Sequence, residues 1–307
     1  MIVWVFLLLA SLCLLYAASE KAEEELVKFA EYSGITHLAV GFIFLAAATS
    51  LPELSISIAS TFLGNQEISA GVSIGNVLYD LLLILPIVSI LYGVKISEKN
   101  FMKIKLFSLI SLLVLSPLLL IKSITRVYGI FLVISFLALS TFLLRGKANY
   151  RFSSKKERFR NKLSVGVLLV VISFLSFLIN LSARKIAEAA NISMLVIGSL
   201  LVSLFTSSPE LFTCLAAAKR RNYDVVIGTL YGTLVFDTMF VLGSTSVLAP
   251  IIISNFNHFL LLYFFLLISL ISIILILLKE REINVYSSIF LLVLLAFWIF
   301  LSVLIGI

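Results

Sequence analysis

The chain has 307 residues, 61% of them hydrophobic and only 13% charged, and its mean hydropathy is +1.17. Soluble domains carry about 25% charged residues, so a soluble globular protein is excluded. The net charge of +7 lies in short segments between apolar runs, which is the mark of membrane topology and not of nucleic-acid binding.

Apolar runs near 20 residues recur along the chain and predict ten membrane-crossing helices. The first covers 2–30 and ends on an acidic stretch, Glu20, Glu23, Glu24, Glu25 and Glu31. Ala17-Ala18-Ser19 imitates a secretory cleavage site, but no basic segment precedes the apolar run, so this helix is expected to be retained. The second, 36–63, carries Thr49-Ser50-Leu51-Pro52-Glu53, and the next three span 68–92, 101–121 and 126–145. A basic linker, 146–162, follows. The last five cover 163–190, 193–218, 224–252, 256–278 and 284–306, the seventh helix holding Thr206-Ser207-Ser208-Pro209-Glu210.

The two Pro-Glu segments lie 157 residues apart, and the same offset maps Gly41 onto Gly198, Gly71 onto Gly228, Gly75 onto Gly232 and Asp80 onto Asp237. The chain therefore reads as two related halves, 1–145 and 163–307. Five helices per half is an odd number, which inverts the second half relative to the first, as in many secondary transporters. Loop charge agrees: the odd-numbered connections hold 19 Lys and Arg against 4 in the even-numbered ones. The odd connections are expected to be cytoplasmic and both termini extracytoplasmic, most simply in the cell membrane. The fold expected is an all-α polytopic membrane protein, with helices 2 and 7 broken.

Pro52 and Pro209 have no N–H, which frees the carbonyls of Ala48 and Phe205 and breaks each helix where polar residues gather. Thr49 and Ser50 share a face with Glu53, as Thr206 and Ser207 do with Glu210. On the following helices Asn76 stands four residues before Asp80, and Thr233 four before Asp237. A charge at the bilayer centre costs about 2.5–3.5 kcal/mol, and helices 2, 3, 7 and 8 contain no Lys or Arg to offset four of them. A bound cation, protons or both must do so, and carboxylate, hydroxyl and carbonyl oxygens suit hard cations. The Gly71/Gly75 and Gly228/Gly232 pairs would bring the Asp-bearing helices against the broken ones. Ser55, Ser57 and Thr213 are read as satisfying their own helices, and His37 and His258 as interfacial. Cys13 and Cys214 are read as small core residues, not a disulfide or a metal site.

These motifs resemble the α-repeats of the cation/calcium antiporter superfamily, which includes the sodium/calcium exchangers. That family carries G-[TS]-[TS]-x-P-[ED] on a broken helix and G-[NS]-x-x-G-[SN]-x-x-x-[ND] on the next. The resemblance implies a transporter, not an enzyme, that needs no cofactor and exchanges Ca²⁺ for Na⁺ or H⁺ by alternating access, helices 1 and 6 sliding across the remaining core. It implies Glu53 and Glu210 as the central ligands, completed by Asp80, Asp237, Thr49, Ser50, Thr206, Ser207, Asn76 and Thr233. Ala46 and Ser203 occupy positions where the family uses backbone carbonyls.

The departures are specific. Ala48 and Phe205 replace the glycine before the hydroxyl pair, the phenylalanine being expected to narrow the cavity or reshape the break. Val72 and Thr229 replace a polar residue of the second segment, and Asp80 stands where sodium/calcium exchangers often have Asn. Four acids this close cannot all stay ionised in an empty site, which favours proton coupling more than the family name does. The expected partners are Ca²⁺, Na⁺ or H⁺ and the bilayer; no obligate protein partner is evident. A proton-coupled or Mg²⁺/Mn²⁺ exchanger, or a passive cation channel, are the alternatives.

Overall fold

A computed structural model describes residues 2–31, 46–96, 98–120, 122–144, 155–190 and 192–306. His37 and Gly41, the first ten residues of the second predicted helix and most of the linker lie outside them, as do the side chains of Glu20, Glu23, Glu24, Glu25 and Glu31. The chain is nearly all helical. In order it forms α1 (Ile2–Glu31), α2 (Ala46–Thr49), α3 (Leu51–Phe62), α4 (Glu67–Tyr92), α5 (Glu98–Leu115) and α6 (Arg126–Leu144). Then come α7 (Lys155–Ala190), α8 (194–206), α9 (Ser208–Lys219), α10 (Tyr223–Leu248), α11 (Phe256–Glu280) and α12 (Val285–Gly306). Among the described residues, five helical stretches are long and apolar enough to cross a membrane: Glu67–Tyr92, Met194–Lys219, Tyr223–Leu248, Phe256–Glu280 and Val285–Ile305. Shorter apolar helices occupy Ile2–Leu15, Ile104–Leu119 and Arg126–Thr141.

Three boundaries differ from the apolar pattern. The sixth predicted helix starts at Lys155, not 163, because Lys155-Lys156-Glu157-Arg158 are good helix formers that carry the coil beyond its apolar run. The eighth stops at Leu248, not 252. Pro250 excludes the helical conformation at Ala249, which is extended (φ −147°, ψ 138°). The fourth begins three residues early, and around Pro117 its last turn tightens to a 3₁₀ helix, Ser116–Leu119.

Two short β-ladders tie the early part of the chain to the late part. Strand β1 (Val94–Lys95) pairs antiparallel with β4 (Glu282–Ile283), and β2 (Ser123–Ile124) with β3 (Ile251–Ile252). Beside the first, Arg281 bonds Glu98 at 2.9 Å and stacks over Phe101 at 3.9 Å. The outer faces of α1, α6, α11 and α12 are apolar: Phe6, Val127, Phe264 and Phe300 are all exposed. Such a surface fits lipid and would be untenable in water.

The interior has two apolar clusters. The larger is formed by α4–α6 with α9–α12, and the smaller by Leu8, Leu12 and Leu15 of α1 with Leu175, Ile179 and Ala183 of α7. The α1/α7 pair rests on Ile56, Ile68, Val72, Ile197 and Val202, and Asn180 of α7 donates to the Ile56 carbonyl at 2.9 Å. In the larger cluster the buried Trp298 meets Tyr79 edge-on, with centroids 5.2 Å apart. Trp298→Ala is expected to cost about 3–5 kcal/mol of stability. A thermal melt in detergent checks this; an unchanged Tm would show that α12 contributes little to the core.

Candidate functional site

Both prolines interrupt their helices, and each interruption is one residue long. Ser50 (φ −83°, ψ 12°) separates α2 from α3, and Ser207 (φ −71°, ψ −1°) separates α8 from α9. Backbone bonds bridge each break, from Ser50 N to the Ala46 carbonyl at 2.9 Å and from Ser207 N to the Ser203 carbonyl at 3.0 Å. The carbonyl freed by Pro209 is satisfied by Ser208 Oγ, which donates to Phe205 O at 2.6 Å. The helices next to the breaks carry π turns at Asp80–Ile84 in α4 and Phe236–Val241 in α10, each containing one of the aspartates. A third, Gly198–Val202, lies in α8. Single π turns of this kind are frequent at functional sites.

Glu53, Glu210, Asp80 and Asp237 are the only fully buried Asp, Glu, Lys or Arg among the described residues. Asn76 Nδ2 donates to Asp237 Oδ2 at 2.8 Å and Thr233 Oγ1 donates to Asp80 Oδ2. The pairing is reciprocal: each aspartate is held by the residue four positions before its counterpart in the other half. Ser207 Oγ also lies within hydrogen-bond reach of Asn76 Oδ1. The hydroxyl of Thr206 lies near Glu53 and that of Ser50 near Asp237, in neither case as a hydrogen bond of ordinary geometry.

The glutamates differ from the aspartates. Neither oxygen of Glu53 nor of Glu210 has a hydrogen-bond partner among the described residues, and Asp80 and Asp237 each keep one free oxygen. A buried carboxylate left this way is costly, and a cation or a proton is the remedy. Ala46 O accepts from Thr49 Oγ1 at 3.3 Å, and Ser203 O accepts from Thr206 Oγ1 at 3.3 Å and Ser207 Oγ at 2.7 Å. All twelve residues named from the sequence thus lie at or beside the two breaks. Among the described residues no three His, Cys, Asp or Glu side chains are close enough to hold one ion between them. An ion held here would therefore need carbonyl and hydroxyl oxygens in its coordination, or carboxylates that draw together around it.

The glycine pair of α4 does what its spacing predicts. A Cβ at Gly71 would lie 2.3 Å from Leu195 O and one at Gly75 2.5 Å from Ser199 O, so α4 and α8 touch backbone to backbone. Phe205 stands between a surface crevice of about 180 Å³, lined with Leu12, Cys13, Ser208 and Phe212, and an inner gap reaching Thr206 that has no room for water.

Two polar groups escape a reading of the sequence. His258, expected at the interface, is fully buried and 3.0 Å from Ser199 Oγ, and Tyr79 OH donates to Leu200 O at 3.0 Å. A signal for the first is present, since Ser199, Ser203 and Ser207 recur every four residues on one helical face.

The chain has relatives throughout its length. It is 28% identical over 235 residues to the uncharacterized membrane protein MJ0091 of Methanocaldococcus jannaschii, covering 75% of this chain and 76% of that one. It is 24% identical over 268 residues to the putative antiporter CaxA of Alkalimonas amylolytica, covering 81% and 82%. Structures of the sodium-calcium exchanger NCX_Mj superpose with a TM-score of 0.68 at 25% identity when soaked with Na⁺ and Sr²⁺, covering 97% of each chain. The family description "sodium/calcium exchanger protein" matches twice, over residues 3–145 and 162–304. With nearly all of its residues inside those matches, this integral membrane protein belongs to the sodium/calcium exchanger family, whose members are ion transporters and not enzymes.

Proposed function

We propose that the chain is a secondary antiporter that moves Ca²⁺ against Na⁺ or H⁺ through a site centred on Glu53 and Glu210. Asp80, Asp237, Asn76, Thr233 and the hydroxyls of Thr49, Ser50, Thr206 and Ser207 complete the site, with the Ala46 and Ser203 carbonyls. One observation carries the reading: two buried, unpartnered glutamates lie at the helix breaks, flanked by the reciprocal Asn76–Asp237 and Thr233–Asp80 bonds. Those bonds join residues from the two halves of the chain, so any relative motion of the halves remakes the site, as alternating access requires.

In this reading the chain crosses the membrane ten times, as two inverted five-helix units, 1–145 and 163–307, joined by the cytoplasmic segment 146–162. The ladders support it: the 157-residue offset places β1 on β3 and β2 near β4, so each ladder pairs a strand with the counterpart of the other's partner. The charge asymmetry of the connections places both termini outside.

A second reading, coupling to protons, is favoured by aspartate at both 80 and 237. An empty four-acid site is relieved by protons, which Ca²⁺ would have to displace. Ca²⁺ uptake into proteoliposomes separates the two. Uptake is expected under a Na⁺ gradient, a pH gradient or both, and the gradient that drives it identifies the coupling ion. Uptake under neither, or Ca²⁺ flux that needs no counter-ion, would refute antiport of this ion.

A further inference from the structure

The second half carries a line of polar groups that the first half lacks. Ser199, Ser203 and Ser207 share one face of α8 and its break, whereas the residues 157 positions earlier are Phe42, Ala46 and Ser50. Ser203 Oγ donates to the Ser199 carbonyl. Ser207 Oγ lies within hydrogen-bond reach of two acceptors, the Ser203 carbonyl at 2.7 Å and Asn76 Oδ1, and its one proton serves either; Asn76 Nδ2 in turn donates to Asp237 at 2.8 Å. At the far end of this line stands His258, in the first turn of α11, where the first half has Phe101.

The direction of the His258 bond follows from its neighbours. Ser199 has one hydroxyl proton and two contacts, the Val196 carbonyl at 3.2 Å and His258 Nε2 at 3.0 Å. A carbonyl can only accept, so both bonds form together only when the imidazole donates through Nε2–H. Its backbone is fixed as well, since the Asn255 side chain caps α11 by accepting from His258 N at 3.1 Å. The charged groups near that end are engaged elsewhere: Glu67 accepts from Ser254 N and, at 2.7 Å, from Ser254 Oγ, and Lys122 lies over the Phe256 ring at 5.9 Å.

What His258 grips is the π turn Gly198–Val202. A π turn disturbs the regular pairing of helix carbonyls, and here side chains meet three of them: Ser199 at Val196, Ser203 at Ser199 and Tyr79 at Leu200. Gly75 of α4 also lies against the Ser199 backbone, so this turn of α8 meets both α4 and α11.

We infer that His258 is a positioning residue for the second-half part of the cation site. By donating to Ser199 it holds the π turn in the register that aims the Ser203 carbonyl and the Ser207 hydroxyl at Asn76 and Asp237. The inference rests on the cation-site reading above. It also makes the two halves of the site unequal, because the first half has Phe42 and Phe101 in the sequence where the second has Ser199 and His258.

The test is Ca²⁺ exchange by the full chain in proteoliposomes, with half-saturation and maximal rate measured separately. His258→Phe and Ser199→Ala are each expected to raise the half-saturation concentration roughly fivefold, the worth of one neutral hydrogen bond. The double variant is expected to be no worse than either single one, since both remove the same bond. His258→Gln, which keeps a donor near the Nε2 position, is expected to stay within about twofold of the parent. A merely structural histidine would give fewer active molecules, lowering the maximal rate and leaving half-saturation unchanged. That result, additive single effects, or His258→Gln behaving like His258→Phe, would overturn the inference. Glu210→Gln in the same assay keeps the two questions apart: exchange that survives it refutes the site, whereas its loss together with an unmoved His258→Phe refutes only the positioning role.

Discussion

Exchange is expected to be lost in both Glu53→Gln and Glu210→Gln, with Ca²⁺ binding weakened at least about 30-fold. Removing one partner of a desolvated charge pair costs about 2–5 kcal/mol, and each 1.4 kcal/mol is a factor of ten. The stability effect should run the other way. With no ion present, both carboxylates are buried without a hydrogen-bond partner among the described residues, and an amide is cheaper to bury than a carboxylate. In chelator the variants should therefore melt no lower than the parent, and they should lose the rise in Tm that Ca²⁺ confers on it. Melting curves with and without Ca²⁺, alongside uptake, test both halves of this statement. A variant that unfolds in chelator would mean that the glutamates serve the fold, and one that transports normally would mean that they do not bind the ion.

Gly75→Ala is expected to be nearly as damaging, for an unrelated reason. A methyl group there would lie 2.5 Å from Ser199 O, 2.7 Å from Ser199 Cα and 2.7 Å from Ser203 Oγ. Two of those atoms belong to backbone, which cannot swing aside as a long side chain would. Helices α4 and α8 would have to part, disturbing the Asn76–Ser207 bond as well as the packing. A cost of about 3 kcal/mol or more is expected, at the upper end for overpacking. A melt and a size-exclusion profile in detergent measure it, and the parent's Tm and profile in Gly75→Ala would show that the helices have slack. Gly64 is a contrast: it has φ +73°, and a Cβ added there would meet no atom within 4 Å, so its requirement is backbone conformation and not space.

How much is legible in the residues depends on which physical cue each feature leaves there. The helices are readable because a bilayer demands long apolar runs, and the breaks because Pro52 and Pro209 remove a donor in the middle of them. The burial of Glu53, Asp80, Glu210 and Asp237 is readable for the same reason, since each sits in such a run. The π turns leave no comparable mark: Asp80–Ile84 and Phe236–Val241 are ordinary apolar residues apart from their aspartates and Thr238. Nor does spacing along the chain reveal that Asn76 bonds Asp237 and not Asp80, because that choice is made by how α4 crosses α10. His258 points to the interface in the sequence because it begins an apolar run just after a loop. Only the packing of α11 against α8 carries it inside. Lys155 to Lys162 reads as linker because the apolar pattern finds the part of a helix that lipid requires and misses the polar turns that extend it.

The most direct test of the cation site is anomalous diffraction from crystals of the protein soaked with Sr²⁺ as a heavy stand-in for Ca²⁺. The account predicts an anomalous peak between Glu53 and Glu210, with both carboxylates turned onto it and the hydroxyls of Thr49 and Thr206 or the carbonyls of Ala46 and Ser203 in its shell. A peak elsewhere, or none in crystals of protein that exchanges Ca²⁺, would contradict it.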